Sequence, residues 1–302
     1  MMIAVARSLI VAVIALAVAA CSDSNDGGAS GPAPDGVDRV LVFSKTAGFR
    51  HASIEAGIVA IQSLGSTNDF EVEATEDAEQ FNTENLARFD AVIWLNTTLD
   101  VLNPGQQNAF ADYIRAGGGY VGVHSAADTE HDWPFYGQLV GAQFLAHPVL
   151  NQPGTLIVED SQHPSMLHLG STWTLPVEEF YSFKSNPRGA VRVLQRIDES
   201  SYEQTPNTSC DPSGPTFPQG YSGRMGDHPM SWCHRNLGGR AWYTALGHEA
   251  YLYQEPDFLA HLLGGILSVI GRLPMDCSVD DPADLPAYEP PVLEACENQL
   301  FP

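Results

Sequence analysis

The stretch AVIWLNTTLDVLNPGQQNAFADYIRAGGGYVGVHS, residues 91–125, decides the fold. Its first five residues, Ala91 to Leu95, are wholly apolar, as expected of a strand buried on both faces. Pro104 to Ala116 reads as a helix with proline in its first turn, and Gly117-Gly118-Gly119 ends it. Tyr120 to Val123 is a second apolar run. A strand, a helix and a strand in this order make a crossover unit. The pattern recurs upstream: Val40 to Ser44 is a strand, and Ser53 to Leu64 is a helix. In that helix Ile54, Ile58, Ile61 and Leu64 sit at helical spacing and Ser53 is the expected N-cap. Phe70 to Thr75 is another strand and Asn82 to Arg88 a short helix. Repeated units of this kind imply an α/β domain with a mostly parallel sheet and helices on both faces.

Downstream the pattern loosens. Thr155 to Glu159, Val191 to Arg196, Met230 to His234 and Arg240 to Leu246 read as strands, and Asn236 to Gly239 is a hairpin turn signal. Pro256 to Ile270 is a closing helix with Phe258, Leu262, Leu263, Ile266, Leu267 and Ile270 as its apolar stripe. Residues 273–302 carry six prolines and two cysteines and read as a stapled surface tail.

The start of the chain reads as an export signal. Arg7 precedes an apolar run, Ser8 to Ala20, too short for a bilayer span. Val18-Ala19-Ala20-Cys21 resembles a bacterial lipobox, which implies cleavage before Cys21, acylation of that cysteine and a lipid anchor in place of a transmembrane helix. Ser22 after the cysteine favours the outer membrane. Residues 21–38, poor in apolar residues, are expected to be a flexible tether, leaving 39–272 as the folded domain. The mature chain would carry 13 Lys and Arg against 37 Asp and Glu. That acidity excludes nucleic acid as a natural partner and disfavours electrostatic docking on anionic lipid. Cys210, Cys233, Cys277 and Cys296 permit three disulfide pairings. We expect Cys210–Cys233 across a Pro/Gly/Ser-rich loop and Cys277–Cys296 within the tail. Neither pair has zinc-like spacing.

An ordered set of landmarks runs through the domain: Gly48-Phe49-Arg50-His51, Gly119-Tyr-Val-Gly-Val-His124-Ser-Ala126, Phe135-Tyr136 with Gly141, Ala146-His147-Pro148, His163-Pro164, Glu178-Glu179-Phe-Tyr181, Met230-Ser-Trp232, Gly239-Arg240 and Leu246-Gly247-His248-Glu249. This order resembles the ThuA (trehalose-utilisation) family over residues 39–271. The resemblance implies a flavodoxin-like, doubly wound core related to class I glutamine amidotransferases. In those enzymes the turn after the corresponding strand carries a nucleophilic cysteine. Here it carries His124, so thioester chemistry is not expected. Ser125 lacks a Gly-x-Ser-x-Gly context. Gly117–Gly119 precedes a strand instead of following one, so no nucleotide cofactor is expected.

Ligands in such sheets bind beyond the carboxyl ends of the strands. That rule selects His51, His124 and His248, each in the connection after a strand. The family pattern adds Glu179 and Tyr181, and His147 from a loop. His124 and His248 are assigned acid/base or metal-ligand roles, with His51 and Glu179 completing the shell. His51, His124 and His248 are candidate ligands of a divalent metal. Neutral imidazoles acting as acid and base are the alternative. Phe49, Tyr136, Phe180, Tyr181 and Trp232 are candidate walls for a sugar ring. Arg50 either pairs with a local carboxylate or meets a ligand hydroxyl. His261 is read as structural.

The family link implies an enzyme of carbohydrate catabolism acting on trehalose or a 3-keto-glycoside by hydrolysis, elimination or isomerisation. A partner sugar dehydrogenase or hydrolase is implied with it. The alternative is a non-catalytic glycan-binding or partner-binding envelope lipoprotein.

Overall fold

The computed structural model describes residues 36–148, 151–203 and 224–279. The expected signal segment, Cys21, Cys210, Cys296 and nearly all of the proline-rich tail lie outside the described residues. Among those described, no helix is long and apolar enough to cross a membrane.

Among the described residues, eleven strands and five α-helices follow one another as β1 (Arg39–Phe43), α1 (Ile54–Thr67), β2 (Glu71–Thr75), α2 (Thr83–Leu86), β3 (Ala91–Leu95), α3 (Pro104–Arg115), β4 (Gly119–Val123), α4 (Pro134–Val140), β5 (Phe144–Ala146), β6 (Gln152–Val158), β7 (Thr172–Glu178), β8 (Ser182–Phe183), β9 (Arg192–Ile197), β10 (Pro229–His234), β11 (Arg240–Thr244) and α5 (Pro256–Val269). Nine strands form one sheet in the order β2-β1-β3-β4-β11-β10-β9-β6-β7. The first five are parallel. Their order is the flavodoxin-like one, with β11 as the fifth strand. The four remaining pairings are antiparallel, so that only β10 and β6 run against the rest. The expected α/β class and the β10–β11 hairpin are both present.

Alternation along β3 shows that the sheet is covered on both sides. Leu95 lies under α1, where a Cβ on Gly57 would come within 3.0 Å of it. Trp94, pointing the other way, packs on Phe110 of α3 with ring centroids 5.4 Å apart. β11 repeats the device. Trp242 faces α5 through Gly265, and Tyr243 stacks on Trp232. That indole donates to the carbonyl of Val140 at the end of α4 (2.8 Å). The strands β3 and β4 are buried at every position, which is why they read as unbroken apolar runs.

Two local expectations are corrected. Ser53 occupies the N-cap position of α1, but its hydroxyl makes no cap bond. It donates instead to the carbonyl of Gly247 (3.0 Å). Working caps are at α2, where the Asn82 side chain accepts from the Asn85 amide, and at α3, where Asn103 and Gln106 form a reciprocal capping box. The disulfide is Cys233–Cys277, with Cα atoms 5.6 Å apart, so neither expected pairing can form. The physical reason is tertiary. The chain leaving α5 passes beside β10, and the bond ties residues 271–279 to the sheet instead of closing a local loop.

Candidate active site

The site is assembled at the carboxyl ends of the strands. The β1–α1 loop supplies His51, the turn after β4 supplies His124, the turn after β11 supplies His248, and the residue after β7 is Glu179. One ligand atom from each of these four lies within 4.8 Å of the others. His51, Glu179 and His248 open onto a cavity of about 450 Å3, also lined by Gly48, Phe49, Leu99, Asp128, Phe144, His147 and Tyr181. That volume lies in the range of small-molecule sites. His124 sits beneath, fully buried.

Backbone geometry aims the two central imidazoles. His124 has a positive φ of 49°, a left-handed conformation that costs a β-carbon-bearing residue about 1–2 kcal/mol. Tyr243 Oη donates to its carbonyl oxygen (2.8 Å) and holds the turn. Gly247 has φ of 120°, open only to glycine. Its carbonyl accepts from Ser53, Asn96 (3.2 Å) and Tyr253 (3.2 Å). The next amide, His248 N–H, donates to Glu178 Oε1 (2.9 Å). The peptide before His248 is therefore fixed at both ends.

Hydrogen bonds set the tautomers. His124 Nδ1–H donates to the Ala245 carbonyl (2.8 Å), so its Nε2 faces the centre. That nitrogen is 3.3 Å from Glu179 Oε2 and 3.3 Å from His248 Nδ1. His248 Nδ1 is 3.0 Å from the same carboxylate oxygen. The other oxygen, Oε1, meets His147 Nδ1 at 3.2 Å. His51 Nδ1 is 3.3 Å from Ser125 Oγ, and Ser125 is completely buried.

Burial and neighbouring charge divide the protons. Burial, with His124 and His248 alongside, pushes the His51 imidazole down to about 2. Burial also lowers His124, against the pull of Glu179. Burial is the largest single influence on His248 and opposes its protonation, but the hydrogen bond to Glu179 and the charges of Glu179, Glu178 and Glu249 together outweigh it, and the net shift is upward. Burial alone would raise Glu179. The surrounding imidazoles, with His248 bonded to the carboxylate, reverse that, so it stays ionised. Of the three imidazoles, His248 therefore holds a proton most readily, while His51 and His124 are held toward the neutral form beside the Glu179 carboxylate.

Several expected walls stand elsewhere. Tyr136 is fully buried, donating to the Ala126 carbonyl (2.8 Å) and paired with Tyr120. Trp232 is fully buried against Tyr243 and α4, and Phe180 packs on Tyr202. All three belong to the core. Arg50 lies outside the cavity lining, with its guanidinium on Glu55 and Glu76 (2.7 Å each). Phe49, 67% exposed, and Tyr181, whose ring centroid is 4.1 Å from that of His124, do line or floor the cavity. His261 bridges the Ser165 carbonyl and Thr244 Oγ1 inside the core. The lining residues Leu99, Asp128 and Phe144 went unread in the sequence. Asp128 alone left a signal, four residues after His124 in the same turn.

Fold and site together define an α/β protein with a three-histidine, one-carboxylate cluster beneath a cavity at the sheet's carboxyl edge. The sequence model of the ThuA family, described as trehalose utilisation, matches residues 39–268, and the chain belongs to that family. No curated protein matches it. Among solved structures, a ThuA-like protein from Bacteroides uniformis is 19% identical with a TM-score of 0.61, over 82% of this chain and 94% of that one. A second, from Parabacteroides merdae, is 16% identical with a TM-score of 0.59, over 78% and 91%. A Salmonella typhimurium protein described as cytoplasmic reaches 0.51 at 12% identity, over 76% and 99%. At these identities the likeness is one of fold.

Proposed function

We propose that this protein acts on a sugar or keto-sugar, of the trehalose or 3-keto-glycoside type, by hydrolysis, elimination or isomerisation. The observation that carries the reading is the convergence of His51, His124, Glu179 and His248 at the base of a cavity of sugar-binding size. Protons next to a sugar carbonyl or on its hydroxyls are what such groups move. The ionised Glu179 beside His248 (3.0 Å), whose imidazole is shifted toward its protonated form, makes an acid/base couple, and His124 adds a second acceptor. Phe49, Phe144 and Tyr181 offer apolar faces to a sugar ring. No Lys or Arg lines the cavity among the described residues. In the same proposal Cys21 carries a lipid that holds the domain at the cell envelope, with a sugar dehydrogenase or hydrolase as partner.

The test incubates the purified protein with trehalose, 3-keto-trehalose and related 3-keto-glycosides. Turnover by the wild type and its loss in His124→Ala would support the reading. Stabilisation by a sugar without conversion would replace it with a glycan-binding function. No turnover and no stabilisation by any of these sugars would overturn it.

A further inference from the structure

The cluster holds more acceptors than protons. His124 spends its Nδ1–H on the Ala245 carbonyl, which can only accept. Its Nε2 therefore presents a lone pair to both Glu179 Oε2 and His248 Nδ1, each at 3.3 Å. A proton on His248 Nδ1 can bridge to the carboxylate at 3.0 Å. The edge between His124 Nε2 and the carboxylate then stays unbridged, lone pair against anion, between two buried side chains. Such an arrangement is unfavourable unless a positive charge lies between the two.

The same distances are the edges of a coordination polyhedron. Bonds of about 2.0–2.1 Å hold neighbouring donors roughly 2.9 Å apart at right angles and roughly 3.4 Å apart in a tetrahedron. The three edges among His124, Glu179 and His248 run from 3.0 to 3.3 Å, and the His51 nitrogen lies within 4.8 Å of all three. His51, with Nδ1 engaged by Ser125, retains Nε2 as its free nitrogen. The outer contacts are those that orient metal ligands: a carbonyl on His124, a hydroxyl on His51, and His147 on the second oxygen of Glu179.

We propose that His51, His124, Glu179 and His248 bind one divalent first-row transition ion, zinc, iron or manganese in kind, with its open side toward the cavity. Three imidazoles with one carboxylate suit such ions better than magnesium or calcium, which prefer all-oxygen shells. The carboxylate cancels one charge, and the remaining positive charge faces the cavity. There it would hold adjacent oxygens of the ligand, as in an α-hydroxyketone or a vicinal diol. This last step rests on the carbohydrate reading above, whereas the ion site does not.

The test is metal analysis of the full chain after dialysis, followed by Zn2+ and Co2+ titration of protein stripped with a chelator. The expected result is close to one ion per chain and visible ligand-field absorption with Co2+. Affinity should fall about tenfold or more in Glu179→Gln, which preserves shape, and in His124→Ala. His168→Ala, at an exposed histidine bonded to the Asp257 carbonyl, should bind like the wild type. Absence of a retained ion and of a Co2+ spectrum, or equal binding by Glu179→Gln and wild type, would overturn the metal centre. Sugar-dependent stabilisation of the stripped protein would then leave the carbohydrate reading standing alone. A tightly bound ion with no response to any sugar would leave the metal centre alone.

Discussion

Gly247→Ala isolates the link between backbone and site. At φ of 120° a new Cβ would stand 2.8 Å from Tyr253 Oη and 2.9 Å from Val123 Cγ1, closer than packed atoms allow. Holding an alanine there costs about 1–3 kcal/mol of strain. Relaxing the peptide instead weakens the three hydrogen bonds to the Gly247 carbonyl, each worth about 1 kcal/mol. Either route gives a loss of about 1–3 kcal/mol, or roughly 2–12 °C in Tm for a domain of this size. The functional cost should be larger in proportion, because a displacement of about 1 Å at His248 can reduce a reaction about 100-fold. The assay pairs urea unfolding with turnover of the sugar that the wild type accepts. A variant with wild-type stability and wild-type turnover would refute the claim that this peptide aims His248.

Other outcomes follow from the packing. Peptide mapping without reductant should recover Cys233 joined to Cys277. Cys277→Ser should lose up to about 4 kcal/mol, the chain-entropy value for a separation of 44 residues; recovery of Cys233 joined to Cys210 would contradict this. Burial holds His163 and His261 neutral in the fold, at about 4 and about 3 against an ordinary 6.5. Asp160 pulls His163 upward and Arg192 downward. The unfolded chain protonates first, so these histidines cost nothing above about pH 7, and stability falls below about 6.5. The slope is about 1.4 kcal/mol per pH unit for each histidine. Urea midpoints from pH 7 to 4.5 should show that slope, shallower in His261→Asn. Arg50→Ala, which removes only exposed ion pairs, should change stability by less than about 1 kcal/mol and leave sugar binding intact; weakened binding would return Arg50 to the site.

The parallel half of the sheet was legible because β1, β3 and β4 are buried on both faces and leave apolar runs that only a covered strand explains. β7 was not. Thr172-Trp-Thr-Leu-Pro-Val-Glu178 alternates buried and exposed positions but contains Pro176, which argues against a strand. It is tolerated because β7 is the edge of the sheet. β5 and β8, three and two residues long, are too short to show a period. In the site, the strand-end rule found the histidines because it depends on topology alone. It could not tell Tyr181, under the cavity, from Tyr136 and Trp232, in the core. The cysteine pairing was beyond the sequence because it depends on where the chain passes after α5.

The most direct measurement of the central claim is a crystal structure of the protein with a keto-sugar bound. The account predicts the ligand's oxygens against His51, Glu179 and His248, with its ring beside Phe49 and Tyr181. A sugar seated elsewhere on the molecule, or imidazoles of residues 51, 124 and 248 facing apart, would contradict it.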